Sequence, residues 1–222
     1  MAQIVRRTTT TIVADELRKR ILAGRLREGE QVKQEAVANE LGVSRIPVRE
    51  ALRQLEAEGL ITLVSHKGAE VTRLEPEEIA ELFDIRTMLE NWLFEHAITV
   101  ITEADLVEAE RLIEAMRNDA SLEDWGTLNW QFHETLYRSA KKPATMKILR
   151  RVHDNIDRYV RLQIALTDDS QERAHAEHQA IVDAARNKNL KMAAALLADH
   201  IHHVKDQLLA SISAKSASEK SP

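Results

Sequence analysis

The chain contains no cysteine among its 222 residues. Disulfides and thiolate metal sites are therefore excluded, and any metal must be held by nitrogen and oxygen. Nor does any apolar run approach the ~20 residues that cross a bilayer. The stretch Met1-Ala2-Gln3-Ile4-Val5-Arg6-Arg7 lacks the apolar core of a secretory leader. The expectation is a cytoplasmic protein with no membrane partner. A uniform excess of one charge is also missing. Of 31 Lys+Arg and 36 Asp+Glu, thirteen and eleven lie at or before Glu75, which leaves 18 and 25 after it, net +2 against −7. Only the first part suits a polyanionic partner. A hydrophobic content of 44% supports packed cores, and the shift in charge favours two domains over one.

What is present is most informative between Gly42 and Arg53. Gly42 can take the left-handed conformation that ends a helix, Ser44 can cap the next, and Pro47 falls in its first turn, where a missing N–H costs little. Val48, Ala51, Leu52 and Leu55 then recur on one helical face, while Arg45, Arg49 and Arg53 stand four apart on the other. Upstream, Ile12, Val13, Leu17, Ile21 and Leu22 pattern a helix over roughly 11–23 that Gly24 stops. A second short helix over roughly 33–41 carries Val37, Ala38 and Leu41. Downstream of Gly59, residues 60–64 and 69–72 read as two strands closed by His66-Lys67-Gly68, a basic tip suited to a sugar-phosphate backbone.

This order resembles the winged helix-turn-helix of the GntR family of bacterial transcription regulators, with Gly42 to Leu60 following the family pattern almost residue for residue. The resemblance implies that Arg45 and Arg49, with Arg53 on the same face, meet double-stranded operator DNA in the major groove. It also implies that His66, Lys67 and Gly68 reach the neighbouring groove. Ile46 and Gln34 depart from the family's usual threonine and glutamate, which bears on the operator sequence.

Leu74-Glu75-Pro76 is the natural hinge, because Pro76 can start a helix and cannot continue a strand. Beyond it the periodicity predicts six helices, at roughly 76–100, 103–118, 122–140, 144–166, 170–186 and 190–211, with Thr102, Ser121 and Ser170 as candidate N-caps. The fold class expected is mainly α: a winged helix-turn-helix over 8–75, an all-α six-helix bundle over 76–212, and a disordered tail over 213–222. The combination is similar to the FCD branch of GntR regulators, and six helices match its VanR-type subgroup. That likeness implies a helical domain that binds an effector and helps form a homodimer.

Three histidines interrupt apolar stripes on three of these helices. His133 follows Asn129 by one turn beside Phe132 and Leu136, His178 lies on the stripe Ala174, Ile181, Ala185, and His200 lies on Ala193, Leu197, Val204, Leu208. Buried imidazoles need partners, either ordinary hydrogen bonds or a shared divalent metal. FCD regulators carry such a metal, with Asp or Asn four residues before the first histidine. The resemblance thus implies Asn129, His133, His178 and His200 as ligands for zinc, with nickel or manganese as alternatives. His96, His153, His202 and His203 read as ordinary structural or surface residues, and His175 as either a support behind the metal ligands or a surface residue. His133-Glu134 begins a metalloprotease pattern that fails at Tyr137, and Glu172 with His175 is only half of what a di-iron bundle requires.

On the first bundle helix Ile79, Leu82, Arg86, Leu89 and Leu93 share a stripe, so Arg86 is expected among apolar side chains and needs a counter-charge. Glu90, one turn on, is one candidate. The other is a small organic acid held by Arg86 and the metal, and an arginine here is common in the family. The function expected is a dimeric, metabolite-responsive repressor. A metal-dependent hydrolase using the histidine cluster and a structural nucleoid protein are the rival readings.

Overall fold

The computed structural model describes residues 8–64, 68–118, 121–166 and 170–219. They form two compact units that divide after Leu74.

In the first unit α1 (Thr9–Leu22), β1 (Gln31–Val32), α2 (Gln34–Leu41), α3 (Arg45–Ala57), β2 (Ile61–Val64) and β3 (Gly68–Val71) follow in order. Thr8 caps α1 by accepting from the Thr11 N–H. Gly42, at φ 64°, ends α2 in the left-handed region that a side chain would disfavour. Ser44 takes the extended N-cap conformation ahead of α3, but its hydroxyl makes no capping bond. Apolar faces then collapse together: Val13, Leu17 and Ile21 of α1 pack with Val48, Ala51, Leu52 and Leu55 of α3 and with Ile61, Ala69 and Val71 of the hairpin. Ile12, expected on the inner stripe, instead points largely to solvent. The sheet order is β1-β3-β2, all antiparallel, with Gln31 opposite Glu70 and Val32 opposite Ala69. The two-residue β1 carries no periodic signal of its own.

The second unit contains α4 (Pro76–Ala97), α5 (Glu103–Asn118), α6 (Leu122–Tyr137), α7 (Pro143–Leu166), α8 (Ser170–Arg186) and α9 (Leu190–Glu219), with one 3-10 turn over Arg138–Ala140. Pro76 occupies the first turn of α4, where Glu75 and Glu78 close a reciprocal capping box. Thr102 does the same for α5: its hydroxyl accepts from the Asp105 N–H at 3.2 Å while its own N–H donates to Asp105 Oδ2 at 3.0 Å. Ser121 caps α6, and the expected cap at Ser170 falls outside the described side chains. The last helix runs to Glu219, where an irregular tail was expected from residue 213.

α4 packs against α6, α7 and α9, α5 against α6 and α8, and α8 against α9. First and last helices are thus neighbours, joined by the Lys205 to Asp84 ion pair at 2.8 Å. In the turn between α8 and α9, Lys188 donates to the carbonyls of Ile98 and Ile101 at 3.0 and 2.8 Å, satisfying one group at the end of α4 and one in the connection to α5. Where α6 crosses α7, Gly126 faces the buried Asp157–Arg161 pair (2.7 Å). A Cβ at that position would lie 2.7 Å from Asp157 Oδ1, Arg161 Nε and Arg161 Nη2.

Candidate metal centre and nucleic-acid interface

In the first unit the side chains of Arg45, Arg49 and Arg53 are all more than half exposed on the outer face of α3. Arg45 is ion-paired with Glu35 of α2, and Glu50 stands 3.4 Å from Arg49 and 3.6 Å from Arg53. Exposed pairs of this kind contribute about 0–1 kcal/mol each, so they can be exchanged for phosphate or base contacts at little cost. Ile46 is also largely exposed on the first turn of the same helix, an apolar group suited to a thymine methyl. Gly68 opens β3 at φ 90°, again a conformation natural only to glycine. His66 and Lys67 lie outside the described residues.

In the second unit the structure brings His133 of α6, His178 of α8 and His200 of α9 together at the bundle core. One ring nitrogen from each lies within 4.8 Å of the other two, and all three side chains are buried. Their ring centroids form a triangle of 5.6, 5.7 and 4.6 Å, and His178 Nε2 is 3.2 Å from His200 Nε2. Burial holds His133 down at about 4, even though the neighbouring Glu90 pulls the other way. It pushes His178 well below the usual histidine range, with His200 and His133 adding to the effect. Neutral imidazoles are the form that binds metal.

Carboxylates stand behind two of the three rings. Glu90 Oε2 is 3.0 Å from His133 Nδ1 and accepts from the Tyr137 hydroxyl at 2.5 Å. Glu177 Oε2 is 2.7 Å from His200 Nδ1. With Nδ1–H donated outward, the Nε2 lone pair of each ring faces inward. His178 Nδ1 and Asn129 Oδ1 are buried without a hydrogen-bond partner. Three convergent nitrogens, an orphaned amide oxygen one turn from His133 and no thiolate together fit a divalent ion of zinc, nickel or manganese type.

Arg86 is almost completely buried in this same cluster. Its Nε donates to Glu90 Oε1 at 2.5 Å, and its Nη2 lies 3.2 Å from His133 Nε2. Burial would raise the Glu90 carboxyl, but Arg86 and then His133 outweigh it, so Glu90 stays ionised. Two polar roles here were not legible in the sequence. Tyr137, which breaks the metalloprotease pattern, supplies the second donor to Glu90, and Glu177 supplies the acceptor for His200. His153, read as an ordinary residue, is buried against the edge of Trp130 with its Nδ1 unpartnered. Burial, and next the nearby Arg86, keep it neutral.

Comparison with known proteins accounts for both units. Residues 9–71 match the family described as bacterial regulatory proteins, gntR family, and residues 81–203 match the FCD domain. The gluconate operon transcriptional repressor of Bacillus subtilis is 36% identical over 135 residues, a stretch that covers 60% of this chain and 55% of that protein. The HTH-type regulator YdhC of the same organism is 30% identical over 193 residues, covering 85% and 86% of the two chains. Among solved structures, McbR/YncC of Escherichia coli superposes with a TM-score of 0.82 at 19% identity, covering 93% of this chain and all of that one. That likeness concerns the fold alone.

Proposed function

Because the chain belongs to the gntR family of bacterial regulatory proteins and carries its FCD domain, we propose that it is a homodimeric transcription repressor whose helical domain binds a divalent metal and a small organic acid. Proteins of this family are regulators and not enzymes, which sets the hydrolase reading aside. The six α-helices among the described residues of the second unit support placement in the VanR-type subgroup. The single observation that carries the effector reading is the convergence of His133, His178 and His200 beside the buried guanidinium of Arg86.

On this reading α3 enters the major groove with Arg45, Arg49 and Arg53, and the hairpin tip His66-Lys67-Gly68 follows the adjacent backbone. One recognition helix reads too few base pairs for useful specificity, so a twofold dimer on a palindromic operator is the working form. Asn129, His133, His178 and His200 would hold the metal, which when bound would supply Lewis-acid character toward a carboxylate oxygen of the acid. Arg86 supplies positive charge for the same carboxylate and can offer it a paired N–H edge only by giving up part of its contact with Glu90 or His133. The acid alters DNA affinity only as far as it binds the two arrangements of the dimer unequally, and operator binding then alters acid affinity by the same factor. Function of this kind places the protein in the cytoplasm, with the DNA.

The test is elemental analysis of protein purified without chelator, followed by selection of operators from a random-sequence DNA library and gel shifts with and without carboxylates. About one ion per chain, a palindromic consensus and acid-dependent release are the expected results. Protein that takes up neither zinc, nickel nor manganese would overturn the metal; binding without sequence preference would overturn the repressor.

A further inference from the structure

Glu177 lies on α8 directly before His178, while His200 and His203 stand one turn apart on α9. Its carboxylate bridges the pair: Oε2 takes the Nδ1 of buried His200 at 2.7 Å and Oε1 takes the Nδ1 of exposed His203 at 2.8 Å. Both oxygens of a partly buried carboxylate are thus committed to holding one edge of the histidine cluster. An ionised carboxylate can only accept, so each imidazole must present Nδ1–H to it. The other nitrogen of His200 is then left with its lone pair 3.2 Å from His178 Nε2, toward the centre.

We propose that Glu177 is a positioning residue that sets metal affinity, by fixing the tautomer and direction of His200 and by supplying negative charge to an otherwise neutral ligand set, with His203 steadying it from outside. The proposal rests on the metal reading above and deepens it. Three imidazoles and an amide bring no charge against a divalent ion, and Arg86 stands at the same centre with Glu90 already committed to it. Glu177 is the carboxylate at the opposite edge, one imidazole away, and it offsets what Asn129 does not provide in place of an aspartate. His178 shows what the lack of such a partner means. Its Nδ1 is unpartnered, and its ring is held by packing on Phe132, centroid to centroid 4.2 Å.

The experiment compares wild type with Glu177→Ala, Glu177→Gln and His203→Ala. Two readouts are needed: the His200 tautomer in metal-free protein by 15N NMR, and nickel affinity by competition with a chelator. Wild type should show Nδ1–H at His200. Glu177→Ala should lose that preference and bind nickel about 10–100-fold more weakly, the range for outer-shell partners of metal ligands. Glu177→Gln, whose amide oxygen can still accept from Nδ1, should keep the tautomer and lose only the part of the affinity due to charge. His203→Ala should show the smallest loss. Metal-free melting temperatures of the variants separate these effects from misfolding, and the near-isosteric Gln variant serves if Ala fails to fold. Unchanged tautomer and unchanged affinity in Glu177→Ala would overturn the proposal. Wild type that binds none of nickel, zinc and manganese would overturn the metal reading instead, and the tautomer alone would then decide whether Glu177 positions His200.

Discussion

Replacing Arg86 by methionine separates a ligand-binding arginine from an internal counter-ion. Methionine keeps most of the apolar stem and removes the guanidinium that donates to Glu90 Oε1 at 2.5 Å and faces His133 Nε2 at 3.2 Å. Glu90, fully buried, is left with the Tyr137 hydroxyl and His133 Nδ1, two neutral donors in place of a cation. Breaking a buried ion pair from one side costs about 3–5 kcal/mol. Protonation sets a ceiling. A carboxyl with an unfolded pKa of ~4.3 can be neutralised at pH 7 for about 4 kcal/mol, so the charge penalty cannot exceed that. The expected loss for Arg86→Met is therefore about 3–4 kcal/mol at pH 7, shrinking by up to about 1.4 kcal/mol per pH unit as pH falls from 7 toward the carboxylate range. The double variant Arg86→Met/Glu90→Gln removes both charges and should recover most of the loss. Urea unfolding of metal-free protein measures this as a midpoint shift at constant slope. The double variant should also bind metal more tightly, since no guanidinium competes for His133 Nε2, while losing any response to organic acids. A single variant within about 1 kcal/mol of wild type, or a double variant no better than the single, would refute the reasoning.

Other expectations follow from the same geometry. Arg49→Ala should weaken operator binding by about 1–3 kcal/mol with relaxed base preference if it makes a bidentate base contact, whereas Lys67→Ala should weaken all sequences more evenly and flatten the salt dependence; gel shifts at two salt concentrations check both. Metal-free protein should lose stability as pH falls from about 6.5 toward 4. His133 titrates near 4 when folded and ~6.5 when unfolded, so the unfolded chain takes up protons first, a difference of about 3 kcal/mol for this residue alone. Burial drives His153 and His178 in the same direction. A melting temperature unchanged between pH 7 and 5 would contradict that burial. Gly126→Ala gains about 1 kcal/mol of helix propensity. It nevertheless forces Asp157 and Arg161 apart, since its Cβ would stand 2.7 Å from both. A net destabilisation of about 1–3 kcal/mol is expected in thermal melts, and a gain would show that the pair moves freely.

The outer and inner faces of α3 were legible because a single helix determines both: apolar spacing puts Val48, Ala51, Leu52 and Leu55 inside and leaves the arginines out. The histidine cluster was legible for the same reason, each ring breaking an apolar stripe that must face the core. What stayed hidden depends on how helices cross. Glu177 and Tyr137 look like surface or filler residues until α8 meets α9 and α6 meets α4. On α4 itself the buried stripe runs through Phe83 and Glu90 in place of Leu82 and Leu89, so the counter-ion of Arg86 sits deeper than the pattern implied. β1 is two residues long and owes its existence to its partner β3. The continuation of α9 through the Ser/Ala/Lys-rich segment reflects cooperativity: an already nucleated helix extends through residues that could not start one.

The pairing of α4 with α9 dictates an order of birth. The winged helix is complete once residue 71 has been made, and every contact of its core is then available. The helical domain cannot close so early. Its first helix waits for its last, Asp84 for Lys205, and the carbonyls of Ile98 and Ile101 for Lys188. Two of the three histidines, His178 and His200, also arrive in the final quarter of the chain. On the ribosome the helix-turn-helix half therefore folds first, and a nascent chain can present α3 before its histidine cluster has been assembled.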